Sequence, residues 1–358
     1  MNCKNLILAL FLACTVPVFA QDADMSLIPY RQGDLWGYAS ADKKIVIKPE
    51  YNEADLFYEG FAVVKKGSKY GYINKAGKVV IPIKFFVAKP FRYGYFATPA
   101  NPKTVEGTLN NQKTVLFAGA SLLASGYEIC IDTKGVTMPK CPAINDNSAA
   151  ELNKPVTVTT VSNYSTIQKS DLFDKITGDY KIIAGADETY YIAVRNNNYG
   201  VFNNKFDVIV PFEYTMIEKI NIGAMVYLKA EKAGLKGILF GTGSPYLAVD
   251  HNKLQIVQAK DGNNYFIFAK DGKTGLKNTK YQNLAEPVYY DIVYSENGGF
   301  ILTGIDNLKG AYLLNGNMVN LKYAEIKLLK GGSYVWVKTQ AGKTGFVNSS
   351  GEEFFTEQ

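Results

Sequence analysis

Asp34-Leu35-Trp36-Gly37-Tyr38 and, 34 residues later, Ser68-Lys69-Tyr70-Gly71-Tyr72 decide how this 358-residue chain is read. The same slot returns as Tyr199-Gly200, Lys236-Gly237, Thr274-Gly275, Lys309-Gly310 and Thr344-Gly345, with the last five glycines spaced 37, 38, 35 and 35 residues apart. Self-similarity at such a period is the signature of a tandem architecture. Other positions keep the phase. A second glycine follows 23 residues on, as Gly60, Gly94, Gly223 and Gly298, with Gly332 one position early. An aromatic follows at 14 residues, as Tyr51, Phe85, Tyr214 and Tyr289, with Tyr323 again one early. Pro49, Pro82, Pro211 and Pro287 precede that aromatic by two or three residues, and Gly77, Gly243, Gly316 and Gly351 lie six after the first glycine.

Each unit reads as short strands joined by tight turns. Tyr70 to Asn74 is strand-like, Asn74-Lys75-Ala76-Gly77 is a hairpin turn whose glycine accepts positive φ, and Lys78 to Pro82 is the returning strand. Tyr51 to Phe57 and Phe61 to Lys65 supply two more strands around Tyr58-Glu59-Gly60, and no long window carries a helical period. A unit of three or four antiparallel strands cannot bury an apolar face alone, so neighbours must stack on it. The expected class is all-β: tandem antiparallel β-meanders of about 35 residues in a propeller-like ring, with an open β-solenoid as the alternative. The ends favour the ring. Ser26 to Tyr30 matches the strand before a Trp-Gly core, and Phe355 follows the first hairpin of a unit whose closing half is missing, so the two could complete one another.

These motifs resemble the WG-repeat family. The resemblance rests on Trp36-Gly37-Tyr38, Ile45-Val46-Ile47-Lys48-Pro49-Glu50-Tyr51, Phe57-Tyr58-Glu59-Gly60-Phe61-Ala62-Val63-Val64, Tyr70-Gly71-Tyr72-Ile73-Asn74 and Val80-Ile81-Pro82. It is diluted from Tyr199 to Phe355, where no tryptophan precedes the glycine. Between Pro99 and Arg195 the phase breaks: Glu106 to Asn110 and Ile131 to Gly135 read as eroded fragments, and Lys154 to Ser165 as an insertion. The resemblance implies a bacterial, often exported protein with a binding or scaffold role, and it transfers no catalytic residue.

Met1 to Ala20 has the build of a secretory signal: Lys4, an apolar run from Leu6 to Ala13, then Val18-Phe19-Ala20 before a polar stretch. Cleavage after Ala20 is the favoured reading, and a lipoprotein anchored through Cys14 is the alternative. The expected divisions are 1–20 signal peptide, 21–98 WG-type repeats, 99–195 degenerate repeats or insertion, and 196–358 WG-type repeats. No later stretch approaches the roughly twenty apolar residues of a membrane span. The expected location is therefore the periplasm or the extracellular space. Once the leader is removed only Cys130 and Cys141 remain, flanking Asp132-Thr133-Lys134-Gly135. In an oxidising compartment they are disulfide candidates across a hairpin or loop stem, against two buried thiols or a reactive site.

Hydrophobic residues make up 47%, charged 20% and aromatic 13%, the profile of a folded, strand-rich chain rather than a disordered one. The net charge of +6 comes from 39 basic and 33 acidic residues, yet only Arg31, Arg92 and Arg195 are arginine. Dispersed lysines without guanidinium clusters argue against nucleic acid. A single histidine, His251, argues against His-based metal centres; beside Asp250 it reads as a loop residue. Gly241-Thr242-Gly243-Ser244, Asp261-Gly262 and Asp271-Gly272 read as repeat turns, and Glu50, Glu59 and Glu213 as solvated strand residues. The phased aromatics Tyr38, Tyr51, Phe57, Tyr72, Phe85, Phe91, Tyr214 and Tyr289 read as core ladders.

No catalytic, metal or cofactor-binding residue is indicated, and no cofactor is implied. Trp36 and Trp336 are the candidate ligand-contact aromatics. The functional expectation is a non-enzymatic binding or scaffolding module in the bacterial cell envelope, with protein, peptidoglycan or surface glycan as partner. The alternative is a carboxylate-dependent hydrolase with its site in the irregular 99–195 segment. At about 35 residues per unit, the 338 residues after the signal suggest roughly nine or ten units.

Overall fold

The computed structural model describes residues 23–96, 113–124, 128–142, 181–186, 190–203, 205, 207–222 and 225–357. The signal segment 1–20 with Cys14, the 106–110 fragment and the 154–165 stretch lie outside the described residues, as does much of the 99–195 segment. The described residues form only strands and turns, arranged in eight sheets. That is fewer than the nine or ten units expected from length, because between 97 and 180 the described residues supply only β10 (Lys113–Ser121) and β11 (Ile129–Ile131).

The chain divides into two compact units, residues 1–27 with 50–149, and residues 28–49 with 150–358. In the first, β4 (Glu53–Tyr58), β5 (Phe61–Lys66), β6 (Lys69–Asn74) and β7 (Val79–Phe85) form an antiparallel meander. Next comes a smaller sheet in which β10 pairs with β8 (Val87–Ala88), β9 (Arg92–Phe96) and β11. Val63, Tyr72, Ile81, Phe85 and Phe91 from the meander and its connection pack with Ala118, Ala120 and Ile131, burying one face of each sheet. The order of burial along β7, where Ile81 and Phe85 are buried and Pro82 and Lys84 exposed, is the alternation of a strand with one wet face.

In the second unit the meanders repeat. They are β12–β15 (Lys181–Ala186, Tyr190–Arg195, Asn198–Asn203, Val208–Tyr214), β16–β19 (Met216–Ile222, Met225–Lys232, Leu235–Phe240, Pro245–His251) and β20–β23 (Lys253–Gln258, Asn264–Lys270, Lys273–Asn278, Asn283–Tyr289). Then follow β24–β27 (Asp291–Ser295, Gly299–Thr303, Lys309–Leu313, Met318–Tyr323) and the three-stranded β28–β30 (Glu325–Leu328, Tyr334–Lys338, Thr344–Asn348). A continuous run of apolar clusters joins each sheet to the next, for example Ile192, Val201 and Val210 with Ile217 and Leu228. One sheet draws on both ends of the described chain: β1 (Ile28–Gln32), β2 (Leu35–Ala39) and β3 (Ile45–Tyr51) are antiparallel, and β31 (Phe355–Thr356) pairs parallel with β1. The fold is the all-β, propeller-like array of antiparallel meanders expected from the repeat, with blades offset from the sequence period. In the meanders that start at β4, β12, β16, β20, β24 and β28 the phased glycine sits in the third strand, so one sequence unit spans parts of two successive sheets.

Two local devices explain the conserved phase of the unit. The first is a bulge opposite the signature glycine. Tyr70 pairs with Phe85 and Tyr72 with Ile81, so Gly71 alone faces the three residues Pro82, Ile83 and Lys84. A Cβ on Gly71 would stand 2.7 Å from Ile83 Cα, and one on Gly237 or Gly310 would stand 2.5 Å from the carbonyl oxygen of Ala248 or Val319. Proline suits the bulge, where no ladder donor is needed. The second device is the joint between sheets, a single residue whose amide reaches the second strand of the next sheet. Asn52 N donates to Lys65 O at 2.8 Å, and Thr215, Asn252, Tyr290 and Ala324 donate in the same way to Glu231, Ala269, Thr303 and Lys338, each at 2.8 Å.

The hairpin turns also match the reading from sequence. Gly77 has φ 77°, Asn74 Oδ1 accepts from Ala76 N and Lys78 N, and Asp132 Oδ1 accepts from Lys134 N and Val136 N in the same way, with Gly135 at φ 76°. His251 corrects its expectation. It ends strand β19, buried at 7% exposure, in the slot that other units fill with Tyr or Phe; its ring stands edge-on to Phe268 at 5.1 Å. The sequence period places it 14 residues after Gly237, and that phase outweighs the loop-like Asp-His-Asn wording of its neighbours.

Candidate functional site

Tight turns leave backbone exposed at the sheet ends, and where successive turns stand close they enclose a surface. In the second unit this happens at the ends of three consecutive sheets. The β20–β21 turn (Ala259–Asn263), the β24–β25 turn (Glu296–Gly298), the β26–β27 turn (Leu314–Asn317) and the β28–β29 turn (Leu329–Ser333) line one concavity of about 340 Å³. Glycine makes the approach possible: Gly298 has φ 121°, and a Cβ there would meet Gly332 Cα at 3.3 Å. Lys260 N donates to Tyr294 Oη at 3.0 Å and Leu314 N to Gly298 O at 3.0 Å, so the lining is hydrogen-bonded to the sheets that carry it.

Leu313 is buried and Leu314 half-buried, giving an apolar lining, while Lys260, Asp261, Glu296, Asn297, Asn315 and Lys330 stand exposed at the rim. The rim carries both signs of charge. Lys260 Nζ lies 3.7 Å from Glu296 Oε2. Asp261 is held by Tyr265 Oη, which donates to Oδ2 at 2.6 Å, and by Asn263 Nδ2 at 2.8 Å. Partial burial pushes the Asp261 carboxyl up, but the donors Tyr265 and Asn263 outweigh it and leave the group below the ordinary carboxylate value. Such a site can seat an apolar side chain and hydrogen-bond or ion-pair the chain on either side of it.

The residues singled out from sequence fall elsewhere. Trp36, on β2, is 7% exposed, with its ring edge-on to Phe346 at 6.3 Å. Trp336, on β29, is half-buried and lies under Lys327, whose Nζ is 4.6 Å from the ring centroid. Cys130 and Cys141 form a disulfide with Cα atoms 5.3 Å apart. It closes the stem of the loop whose Met138 N donates to Cys130 O at 2.7 Å. Glu50 and Glu213 reach lysines of the next sheet, Lys66 and Lys232, each at 2.7 Å, and Glu59 accepts from Tyr93 Oη at 2.9 Å. None of these residues lines the concavity. Its only trace in sequence was the set of turn glycines and Asp261-Gly262, read one turn at a time and not as one surface.

Comparison with known proteins adds the following. No curated protein matches this chain. Among solved structures, a crystal structure of the eukaryotic initiation factor is similar at 10% identity over 93% of this chain and 95% of that one, with a TM-score of 0.33. PorZ, a bacterial surface component of the type-IX secretion system of Porphyromonas gingivalis, is similar at 10% identity over 85% of this chain and 37% of that one, with a TM-score of 0.24. The Dos1 propeller is similar at 8% identity over 94% of this chain and 96% of that one, also with a TM-score of 0.24. Among described residues no helix is long and apolar enough to cross a membrane. The family described as WG containing repeat matches residues 36–70 and 70–98, the two stretches that begin at Trp36 and at Tyr70, so this chain carries WG repeats over those residues.

Proposed function

We propose that this protein is a non-enzymatic binding and scaffolding module of the bacterial cell envelope, and that it holds a segment of a partner protein at the turn-lined concavity of its second unit. One observation carries the reading: four turns from three consecutive sheets converge on a single hollow with an apolar lining and a rim of both charges. An extended peptide with one apolar anchor and flanking charges has the matching chemistry. The N-terminal sequence from Met1 to Ala20 and the Cys130–Cys141 disulfide support export to an oxidising compartment, periplasmic or extracellular. Trp336 is proposed as an additional contact aromatic. The divisions 21–98, 99–195 and 196–358 are proposed as the functional segments of the exported chain.

A photo-crosslinking residue placed at Asn297 or Asn315 tests this in envelope extract, with the exposed Lys273, the first residue of β22, as the control position. The expected result is one discrete crosslinked protein from both rim positions and none from Lys273. Equal labelling from all three, or none from any, would remove the concavity as the binding site.

A further inference from the structure

The unit's hairpin between the third and fourth strands turns on a left-handed residue six positions after the signature glycine. Four units use glycine there, with Gly77, Gly243, Gly316 and Gly351 at φ 77°, 87°, 90° and 85°. The first unit has Lys43 there, at φ 63°, and in the β22–β23 turn the same position is Tyr281, at φ 67°. A bulky L-residue in this region is strained, and among the described residues Tyr281 is the one that places an aromatic ring at this position.

Packing accounts for only part of it. The Tyr281 ring lies 4.6 Å from that of Tyr246 and 5.7 Å from that of Phe240, yet it remains 52% exposed. Phe240, half-buried, is itself 5.6 Å from Tyr246, so three rings form one outward-facing cluster at the ends of two adjacent sheets. The cluster is rigid. Tyr246 is 5% exposed, its Oη donates to the Asn278 carbonyl, and Asn278 Oδ1 accepts from Lys280 N at 3.0 Å and Gln282 N at 3.1 Å. Hydroxyl and amide groups ring it, with Thr242, Ser244 and Gln282 all exposed.

Charge selects the occupant. Around the two turns, residues 239–248 and 277–285, the charged side chains are Lys277 and Lys280; the nearest acid on these strands, Glu286, accepts from Asn283 Nδ2 at 3.2 Å. Lys277 Nζ stands 5.8 Å from the Tyr246 ring centroid, and Lys280 is exposed beside Tyr281. A fixed aromatic face, neutral hydrogen-bonding groups and two lysines against one hydrogen-bonded carboxylate together suit a pyranose ring that bears an acidic group: its C–H face stacks on the ring and its carboxylate meets lysine. A proline-rich peptide would use the rings but not the lysines.

We propose that Tyr281, with Phe240 beside it, is the stacking platform of a binding site for acidic glycans, with Lys277 and Lys280 as the charge partners. The site is separate from the concavity, uses different residues and takes a different ligand, so either assignment can fail without the other.

Titration calorimetry of the full exported chain with tetragalacturonate, its methyl ester and a polyproline hexapeptide tests the assignment. The wild type is expected to bind the acid and to bind the ester at least about tenfold more weakly. Tyr281→Gly, which restores the unit's own turn residue, is expected to lose at least about tenfold in affinity for the acid while keeping the wild-type strand spectrum. Tyr281→Phe is expected to bind like the wild type. The proposal is overturned if the acid does not bind, if Tyr281→Gly binds it undiminished, if the ester binds equally well, or if the polyproline peptide binds instead in a Tyr281-dependent way.

Discussion

Arg31 Nη2 lies 2.9 Å from Glu357 Oε1, joining residues 326 apart in sequence. The guanidinium is 3% exposed and makes more than this one pair: Nε donates to Thr344 O at 2.8 Å, Nη1 to Gly33 O at 2.6 Å, and its carbon sits 5.1 Å from the Phe355 ring centroid. With Arg31 N donating to Phe354 O at 3.2 Å and Gly33 N to Thr356 O at 3.1 Å, it clasps β31 to β1. Arg31→Ala leaves two carbonyls without their donor and empties a packed site. We expect a loss of about 2–4 kcal/mol in urea unfolding. Arg31→Lys should recover less than half of it, because one ammonium cannot span the three acceptors.

The same contact predicts a pH response. Its hydrogen bond from Arg31 holds the Glu357 carboxyl below its ordinary value of 4.5. A lowered carboxylate contributes fully above the unfolded value, and the contribution is lost as pH falls through the folded one. Thermal stability is therefore expected to drop below pH 4.5 more steeply in the wild type than in Glu357→Gln, with the two curves parallel at neutral pH. Equal slopes in acid would show that the pair adds nothing.

The bulge predicts a difference between two glycines. Gly71→Ala would set a Cβ 2.7 Å from Ile83 Cα and 2.8 Å from Ile81 O, so the backbone of β7 must move. Gly60, at φ 82°, has nothing within 4 Å of its missing Cβ and carries only the left-handed penalty. Unfolding experiments should give about 2–4 kcal/mol for Gly71→Ala against about 1 kcal/mol for Gly60→Ala.

The lysine pairs that connect neighbouring sheets should be weak individually. Lys66–Glu50 and Lys232–Glu213 are both 2.7 Å pairs between half-exposed side chains at equivalent repeat positions. A double-mutant cycle on either is expected to return less than about 1 kcal/mol and to shrink further in 1 M salt. A larger, salt-insensitive coupling would mean that these pairs fix the spacing of the sheets.

Cys130–Cys141 closes a short loop in the first unit, its ends 11 positions apart in sequence. The chain-entropy estimate for a loop of this size is about 3 kcal/mol. Cys130→Ser with Cys141→Ser should lower the stability of the first unit by up to about that amount, read by amide exchange at Ile129 to Ile131, and leave exchange across β20–β23 unchanged.

Much of this fold is legible in the sequence because its rules are local. Asn74 to Gly77, Gly241 to Ser244 and Asp271-Gly272 announce turns by their chemistry, and Tyr72 and Phe85 announce a core by their phase; the structure buries both rings at 0% and 1% exposure. What escaped depends on partners distant in sequence. Nothing near Arg31 shows that Thr344 and Glu357 will receive it. The Gly71 motif shows a glycine but not the three-residue bulge across from it. His251 was misread because its neighbours resemble a loop, although its position in the period is that of a core aromatic. The concavity and the Tyr281 cluster draw on turns of adjacent sheets. Tyr281 left a legible trace, as one of the residues, with Lys43 and Phe206, that break the run of turn glycines.

The single-residue joint between sheets has a consequence for how such a chain can change length. Asn52, Thr215, Asn252, Tyr290 and Ala324 are each held by an amide bond to the second strand of the following sheet. An extra residue at the joint would break that bond and shift the next sheet by one step, turning every side chain of its first strand to the wrong face. Tolerated growth is therefore confined to two forms: residues added within a hairpin turn, where no register depends on them, or a complete unit copied from one joint to the next. Outside the hairpin turns, the joint makes the repeat the smallest increment by which this architecture can be lengthened or shortened.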